Sequence, residues 1–147
     1  MSATRRELIQ RLQGNPEWSL IDVDGVAVLF ARNTPGHRVA IAAAVDRLRR
    51  LNAPAAATAK AIVPPPRLKW PAAIFGPRRV SFDAWGRGTC FVQLDMPEAA
   101  RREFRQALRT ADRPEPALVK AYVVVASRLG RLEEARAWCR RLVEIAP

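Results

Sequence analysis

Small and bulky side chains recur in the same order in two stretches of the chain that lie 35 residues apart. The first set is Ala100, Phe104 and Ala107, and the second set is Ala135, Cys139 and Leu142. Steps of four and three residues place side chains on one face of an α-helix. A small residue lets two helices approach closely, and the larger residue one turn later fills the groove between them. The spacing therefore predicts two helical hairpins that pack in the same way.

The chain is predicted to be helical from Ser81 to its last residues. The four predicted helices lie near 81–94, 97–111, 116–129 and 132–145. Asp95 and Glu98 have the spacing of a capping box at the start of the second helix, and Pro97 suits its first turn. Gly130 supplies the turn between the last two helices.

The first 36 residues predict a helix followed by a β-hairpin. Residues 3–13 place Leu8, Ile9 and Leu12 on one helical face. The β-rich runs are Trp18–Val23 and Val26–Arg32, and they flank Asp24-Gly25, a pair typical of tight hairpin turns. Because a lone two-stranded hairpin is only marginally stable, it is expected to pack on a neighbouring helix.

The middle of the chain divides into a helical segment, residues 37–63, and a proline-rich loop, residues 64–80. The helical segment is predicted to turn Val39, Ala43, Leu48 and Leu51 inward and its arginines outward. Prolines 64, 65, 66, 71 and 77 exclude regular structure from the loop. Residues 81–147 form the last unit. The predicted fold class is therefore mainly α, with a small β component.

This arrangement resembles the tetratricopeptide repeat (TPR), a two-helix unit of about 34 residues. The residues that carry the resemblance are Gly88, Phe91, Ala100, Phe104 and Ala107 in the first copy, and Gly130, Leu132, Ala135, Leu142 and Pro147 in the second. The resemblance covers roughly residues 81–147. It implies two stacked hairpins of solenoid type, capped by the N-terminal helices. A plain four-helix domain with coincidental spacing is the alternative.

The resemblance also implies a concave groove for a partner polypeptide, lined by the first helix of each repeat. Carried over by register, the candidate partner-binding residues are Trp85, Thr89, Val92, Gln93, Lys120, Val124, Ser127 and Arg128. Lys120 and Arg128 lie two turns apart on one helix face and could hold the carboxylate of a chain end or of an acidic peptide. The alternative is that both are solvated.

The formal net charge of +11 raises the question of a nucleic-acid or membrane-surface partner. Arginine supplies nearly all of this charge, and the arginines are scattered in pairs instead of forming one block. Together with abundant alanine and proline, this composition is typical of a GC-rich, bacterial genome. A basic helical nucleic-acid-binding protein is therefore the alternative to a protein-interaction module.

The sequence offers few groups for catalysis. His37 is the only histidine, and the chain has no HExxH, paired CxxC or phosphate-binding glycine loop. We therefore predict a non-enzymatic protein with no catalytic residue, cofactor or metal. Cys90 and Cys139 are expected to be small buried side chains on the apolar sides of their helices, and Asp22 and Asp24 are expected to shape the hairpin turn.

No apolar run approaches the roughly 18–20 residues of a membrane span, so the chain is expected to be soluble and cytoplasmic. The stretch PEWSLIDVDGVAVLFAR also resembles the short hairpin that follows the membrane spans of some large bacterial membrane glycosyltransferases. Their soluble tails can end in tetratricopeptide-like helices. That resemblance implies an accessory tail, which could face the periplasm. The leading interpretation is a scaffold or accessory subunit that binds another protein.

Overall fold

A computed structural model describes residues 3–54, 81–111 and 114–145. The described elements are α1 (Ala3–Gly14), β1 (Trp18–Val23), β2 (Val28–Arg32), α2 (Arg38–Asn52), α3 (Phe82–Gln93), α4 (Pro97–Thr110), α5 (Pro116–Arg128) and α6 (Leu132–Ile145). A short 3₁₀ turn, Pro35–His37, leads into α2. The predicted mainly α class with a small hairpin is confirmed. The predicted loop 64–80, and the helical segment beyond residue 54, lie outside the described residues.

The β-hairpin is antiparallel, and its turn differs from the predicted one. Asp24 accepts hydrogen bonds from the backbone N–H groups of Val26 and Ala27, both at 2.7 Å. The N–H of Asp24 in turn donates to the carbonyl oxygen of Ala27 at 3.0 Å. The expected tight turn at Asp24-Gly25 is therefore wrong, because the Asp24 carboxylate closes a longer turn without a positive φ at Gly25. As a result β2 begins at Val28 instead of Val26.

The hairpin is held by helices on several sides. Strand β1 packs against α1, α2 and α3, and Val23 at its end is buried. From α1 the buried side chain is Ile9, whereas Leu8 is exposed, so the predicted three-residue inward face of this helix is wrong for Leu8. These contacts supply the apolar cover that an isolated hairpin lacks.

Helix α2 turns a different face inward from the predicted one. Its buried residues are Ile41 and Leu48, while Val39 is 85% exposed and Ala43 and Leu51 are also exposed. The helix is apolar on several sides because of its alanines, so periodicity alone admits more than one inward stripe. Packing against β1 and α4 selects the stripe through Ile41 and Leu48.

The remaining four helices pack mainly on their neighbours in sequence: α3 on α4, α4 on α5, and α5 on α6. Ala100, Phe104 and Ala107 on α4 are almost fully buried, as is Ala135 on α6. A Cβ atom at Gly88 would lie 2.4 Å from the ring of Phe104. A glycine at this position therefore lets α3 and α4 approach closely.

The turns inside the two helix pairs close in the same way. Met96 N–H donates to the carbonyl oxygen of Phe91 at 2.9 Å, and Arg131 N–H donates to that of Ala126 at 2.9 Å. The residue before each donor has positive φ, 53° at Asp95 and 70° at Gly130. Both turns are thus Schellman motifs, 35 residues apart.

The start of α4 is capped from a distant part of the chain. The predicted capping box is wrong, because Asp95 takes the left-handed position after α3 and makes no cap for α4. Asn52, at the end of α2, instead accepts from the N–H groups of Glu98 at 3.1 Å and Ala99 at 3.3 Å. Arg102 donates back to carbonyl oxygens at the end of α2. The two helix ends are therefore tied together.

Candidate partner-binding surface

Three of the predicted groove residues, Trp85, Thr89 and Gln93, line one cleft beside α3. The cleft has a volume of about 240 Å³, and its other lining residues are Gly25, Val26, Phe82, Gly86 and Cys90. The exposed ring of Phe82 stacks on that of Trp85, with ring centroids 6.0 Å apart. The hairpin turn forms one wall of the cleft, since Gly25 lies directly against Gly86. The cleft thus offers a small aromatic surface rather than an open groove.

The fourth predicted residue of α3, Val92, is half-buried and packs on the hydrophobic core. Thr89 is exposed, but its hydroxyl donates to the carbonyl oxygen of Trp85 within the helix at 3.0 Å. The side chains of this helix that are free to meet a partner are therefore largely aromatic and apolar.

The other four predicted residues form an exposed strip on α5. Lys120, Val124, Ser127 and Arg128 are all exposed and share one face of the helix, and we call them the α5 strip. Val124 is 52% exposed and lies between the two cations on this face. Within the described parts of the chain, neither Lys120 nor Arg128 forms an ion pair. The strip can therefore offer an apolar contact and two positive charges to the same ligand.

A buried polar network fixes the opposite face of α5. Arg101 donates to Glu98 at 3.2 Å and to Glu134 at 3.4 Å, and its side chain is 2% exposed. The hydroxyl of Tyr122 donates to the second oxygen of Glu134. Burial raises the pKa of Tyr122, and the hydrogen bond to Glu134 raises it further. Because the network joins α4, α5 and α6, it holds the α5 strip in place.

Arg131 completes the network at the turn between α5 and α6. It donates to the second oxygen of Glu98 at 3.4 Å. Trp138 packs its ring edge against Tyr122, with ring centroids 5.7 Å apart and planes at 66°. Burial acts to lower the pKa of Arg101, but Glu98 and Glu134 outweigh it and raise that pKa. The guanidinium therefore stays charged inside the stack.

A second cleft, of about 430 Å³, lies between the end of α5 and the outer side of α6. Its lining residues are Ser127, Leu132, Ala135, Arg136, Cys139 and Arg140. Sequence reasoning did not select the α6 residues as a site. Cys139 was expected to be buried, and this expectation is wrong because the described chain packs nothing over the outer side of α6. The expectation of burial is confirmed for Cys90.

Asp22, Asp24 and His37, near the N-terminal end of the chain, each have a hydrogen-bonding or ion-pair partner. Asp24 closes the hairpin turn, and its pKa is lowered by the N–H groups of Val26 and Ala27. Asp22 lies within β1 and pairs with Arg47 of α2 at 3.0 Å, so the expectation that it shapes the turn is wrong. His37 contacts the hydroxyl of Thr34 at 3.1 Å. Across the described residues, no group of three His, Cys, Asp or Glu side chains is arranged to hold a metal ion.

None of the helices in the described ranges is both long enough and apolar enough to cross a membrane. No protein-family model, curated protein or solved structure matches this chain.

Proposed function

We propose that the chain is a non-enzymatic protein-interaction module of tetratricopeptide-like type, which binds a partner polypeptide along α3 and α5. Its role would be that of a scaffold or accessory subunit in a larger assembly. The proposed compartment is the cytoplasm, where free thiols such as those of Cys90 and Cys139 are the rule.

The packing of the last four helices supports the repeat. Each helix lies against the next one in sequence, and Ala100 and Ala135, at the same position of each pair, are both buried. The two pairs share the same Schellman turn at Asp95 and Gly130. Stacked two-helix units of this kind leave the first helix of each pair accessible along one side.

The observation that carries the proposal is the exposure of Val124 between Lys120 and Arg128. A solvent-exposed apolar side chain flanked by two unpaired cations suits a ligand that has both an apolar side chain and a carboxylate. The stacked rings of Phe82 and Trp85 provide a second apolar contact on α3. We therefore expect the ligand to be an extended or helical peptide segment.

Site-specific photocrosslinking in the native host tests the proposal. A benzophenone amino acid is placed at Val124, at Thr89, or at the control position Gln106, which is exposed on α4 outside both clefts. We expect discrete protein adducts from Val124 and Thr89 and none of the same adducts from Gln106. Mass spectrometry then identifies the crosslinked polypeptide.

Two results would contradict the proposed groove. One is an identical set of adducts from Val124 and Gln106, which would indicate random collision. The other is an adduct at Val124 that nuclease removes, together with binding that weakens steeply as salt is added. Such salt dependence is the mark of phosphate contacts and would favour the nucleic-acid alternative.

A further inference from the structure

The outer side of α6 carries an apolar stripe that is open to solvent. We call it the α6 stripe; its residues are Leu132, Arg136, Cys139, Arg140 and Val143. Leu132 is 54% exposed and Val143 is 75% exposed. The stripe contains two guanidinium groups and no carboxylate, and it borders the 430 Å³ cleft. Exposed apolar side chains beside a cleft form a candidate interaction surface.

The positions 35 residues earlier, on α4, are buried or half-buried. They are Pro97, Arg101, Phe104, Arg105 and Leu108. Arg101, Phe104 and Leu108 are all nearly inaccessible to solvent, because α4 lies between α3, where the Phe104 ring is next to Gly88, and α5. The same positions on α6 have no such helix over them in the described chain. The α6 stripe and the corresponding positions on α4 therefore share the spacing of apolar residues and arginines, but they differ in whether a further helix packs over them.

An ion pair is repeated at the same offset. Glu98 pairs with Arg101 at 3.2 Å, and Glu133 pairs with Arg136 at 2.7 Å, both with a spacing of three residues. The first pair is enclosed by Glu134 of the following hairpin, which also pairs with Arg101. The second pair is open, with Arg136 69% exposed. Among the described residues, Arg136 has no second carboxylate like the one that Arg101 receives.

We propose that the α6 stripe docks an amphipathic helix of a partner protein, whose apolar side chains are flanked by carboxylates. The inference rests on the correspondence between the two hairpins in the proposed function, but it concerns a different surface. The docked helix covers Leu132, Cys139 and Val143, whose counterparts on α4 are Pro97, Phe104 and Leu108. One of its carboxylates reaches Arg136 as Glu134 reaches Arg101, and another neutralises Arg140.

Charge decides between such a partner and a second copy of this chain. The chain carries a net charge of +11, and two α6 stripes placed face to face would bring four guanidinium groups together, of which, in the described chain, only Arg136 in each copy is paired, with Glu133. Like charges placed across an interface oppose association. An acidic helix gains from the same groups, so it is the occupant that the surface fits.

Cys139 provides a direct probe, because it is exposed while Cys90 is buried. The test ligand is a synthetic helix about 18 residues long, near the length at which isolated helices become stable. It carries apolar residues at the spacing of Leu118, Val119, Tyr122 and Val125, with glutamate on its other faces. A second peptide has lysine in place of every glutamate. Maleimide modification of Cys139 is timed in the full chain with each peptide.

We expect the acidic peptide to slow modification of Cys139 by about tenfold at saturation and the lysine peptide to have no such effect. The double variant Arg136→Glu, Arg140→Glu should weaken binding of the acidic peptide by about tenfold or more. Arg109→Glu is the control, since it reverses an exposed charge on α4, outside the α6 stripe. Circular dichroism of each variant verifies that its helices are retained.

The proposal is overturned if the acidic peptide leaves the rate at Cys139 unchanged, or if Arg109→Glu weakens binding as much as the double variant. It is equally overturned if Cys139 becomes protected by raising the protein concentration alone, with a dimer seen in sedimentation, because the occupant is then a second copy. The photocrosslinking experiment at Val124 does not depend on these results. A negative result at the α6 stripe can therefore be distinguished from a negative result for the proposed groove.

Discussion

At the scale of single residues, burial decides what a charged or polar side chain contributes. The pairs Glu98–Arg101 and Glu133–Arg136 have the same residue types and the same spacing. The exposed pair is screened by water and contributes about 1 kcal/mol at most. The buried pair must keep all its partners, because removing one leaves an uncompensated charge inside the stack. Tyr122 belongs to the buried network and reports on its integrity.

Tyr122 is the only tyrosine in the chain, so the near-ultraviolet absorbance of tyrosinate measures it alone. Burial, followed by the hydrogen bond to Glu134, raises the pKa of this phenol in the folded state. We therefore expect no phenolate at pH values of about 10–11, where a free phenol ionises. The stabilisation from Tyr122 is complete below about pH 10, the pKa of this phenol in the unfolded protein. It is lost as the pH rises through the higher pKa of the phenol in the folded protein.

The variant Glu134→Gln provides the control for this titration. It removes the carboxylate charge that opposes ionisation, so phenolate should form at lower pH than in the natural protein. Circular dichroism recorded on the same samples separates titration in the folded state from alkaline unfolding. Phenolate absorbance with a midpoint near pH 10 in the folded natural protein would contradict the predicted effect of burial.

At the scale of helices and strands, the sequence predicts where elements lie better than how they meet. Proline at helix starts and residues of positive φ at helix ends are local signals, so the bounds of α3 to α6 agree with the predicted ones to within a residue or so. The cap of α4 comes from Asn52, 46 residues before Glu98, and no local pattern shows it. The contact between Gly25 and Gly86 is another long-range feature of this kind.

The candidate site also has a part that local sequence predicts and a part that depends on long-range contacts. Helical register alone places Lys120, Val124 and Arg128 on one face, and the structure leaves that face exposed. Helical register could not show that the hairpin turn closes one side of the cleft beside Trp85. That closure depends on the contact between Gly25 and Gly86, which are about 60 residues apart. The α6 stripe was missed because a sequence pattern does not reveal which apolar face lacks a neighbour.

The contact between the hairpin and α3 can be tested by a Gly→Ala substitution that should destabilise the protein, although such substitutions in helices usually stabilise it. Replacing glycine by alanine inside a helix usually stabilises it by about 1 kcal/mol. At Gly86, however, the added Cβ atom would lie 2.0 Å from the carbonyl oxygen of Gly25, which is backbone and cannot swing away. We expect Gly86→Ala to lower the free energy of unfolding by about 1–3 kcal/mol, as overpacking does. Urea unfolding measures the change.

Gly14→Ala is the matched control, because no atom from outside its own helix turn lies within 4 Å of the Cβ position at Gly14, the last residue of α1. It should leave stability unchanged or raise it slightly. Equal stabilisation by both substitutions would mean that the hairpin turn does not rest on α3 as described. A lower stability for Gly86→Ala alone would support the packing of the N-terminal unit on the helical stack.

At the scale of the whole molecule, the net charge of +11 acts against a compact fold. Many described ion pairs, such as those of Arg32, Arg47 and Arg136, are exposed, and pairs of this kind offset little of the repulsion. The network around Arg101 is shielded from solvent ions by burial. Added salt should therefore weaken the long-range repulsion more than it weakens the attractive pairs.

We expect the urea midpoint of unfolding to rise when sodium chloride increases the ionic strength from about 0.01 M to about 0.15 M. The Debye length falls from about 30 Å to about 8 Å over this range, so repulsion across the molecule is largely screened. Urea is suitable because it is uncharged, and chloride is preferable to sulfate, which strengthens apolar burial on its own account. The double variant Arg38→Glu, Arg109→Glu, at two exposed positions, should show a smaller rise because it carries less net charge. A midpoint that falls with salt would mean that surface ion pairs outweigh self-repulsion in this fold, and the charge would then have to be assigned a stabilising role.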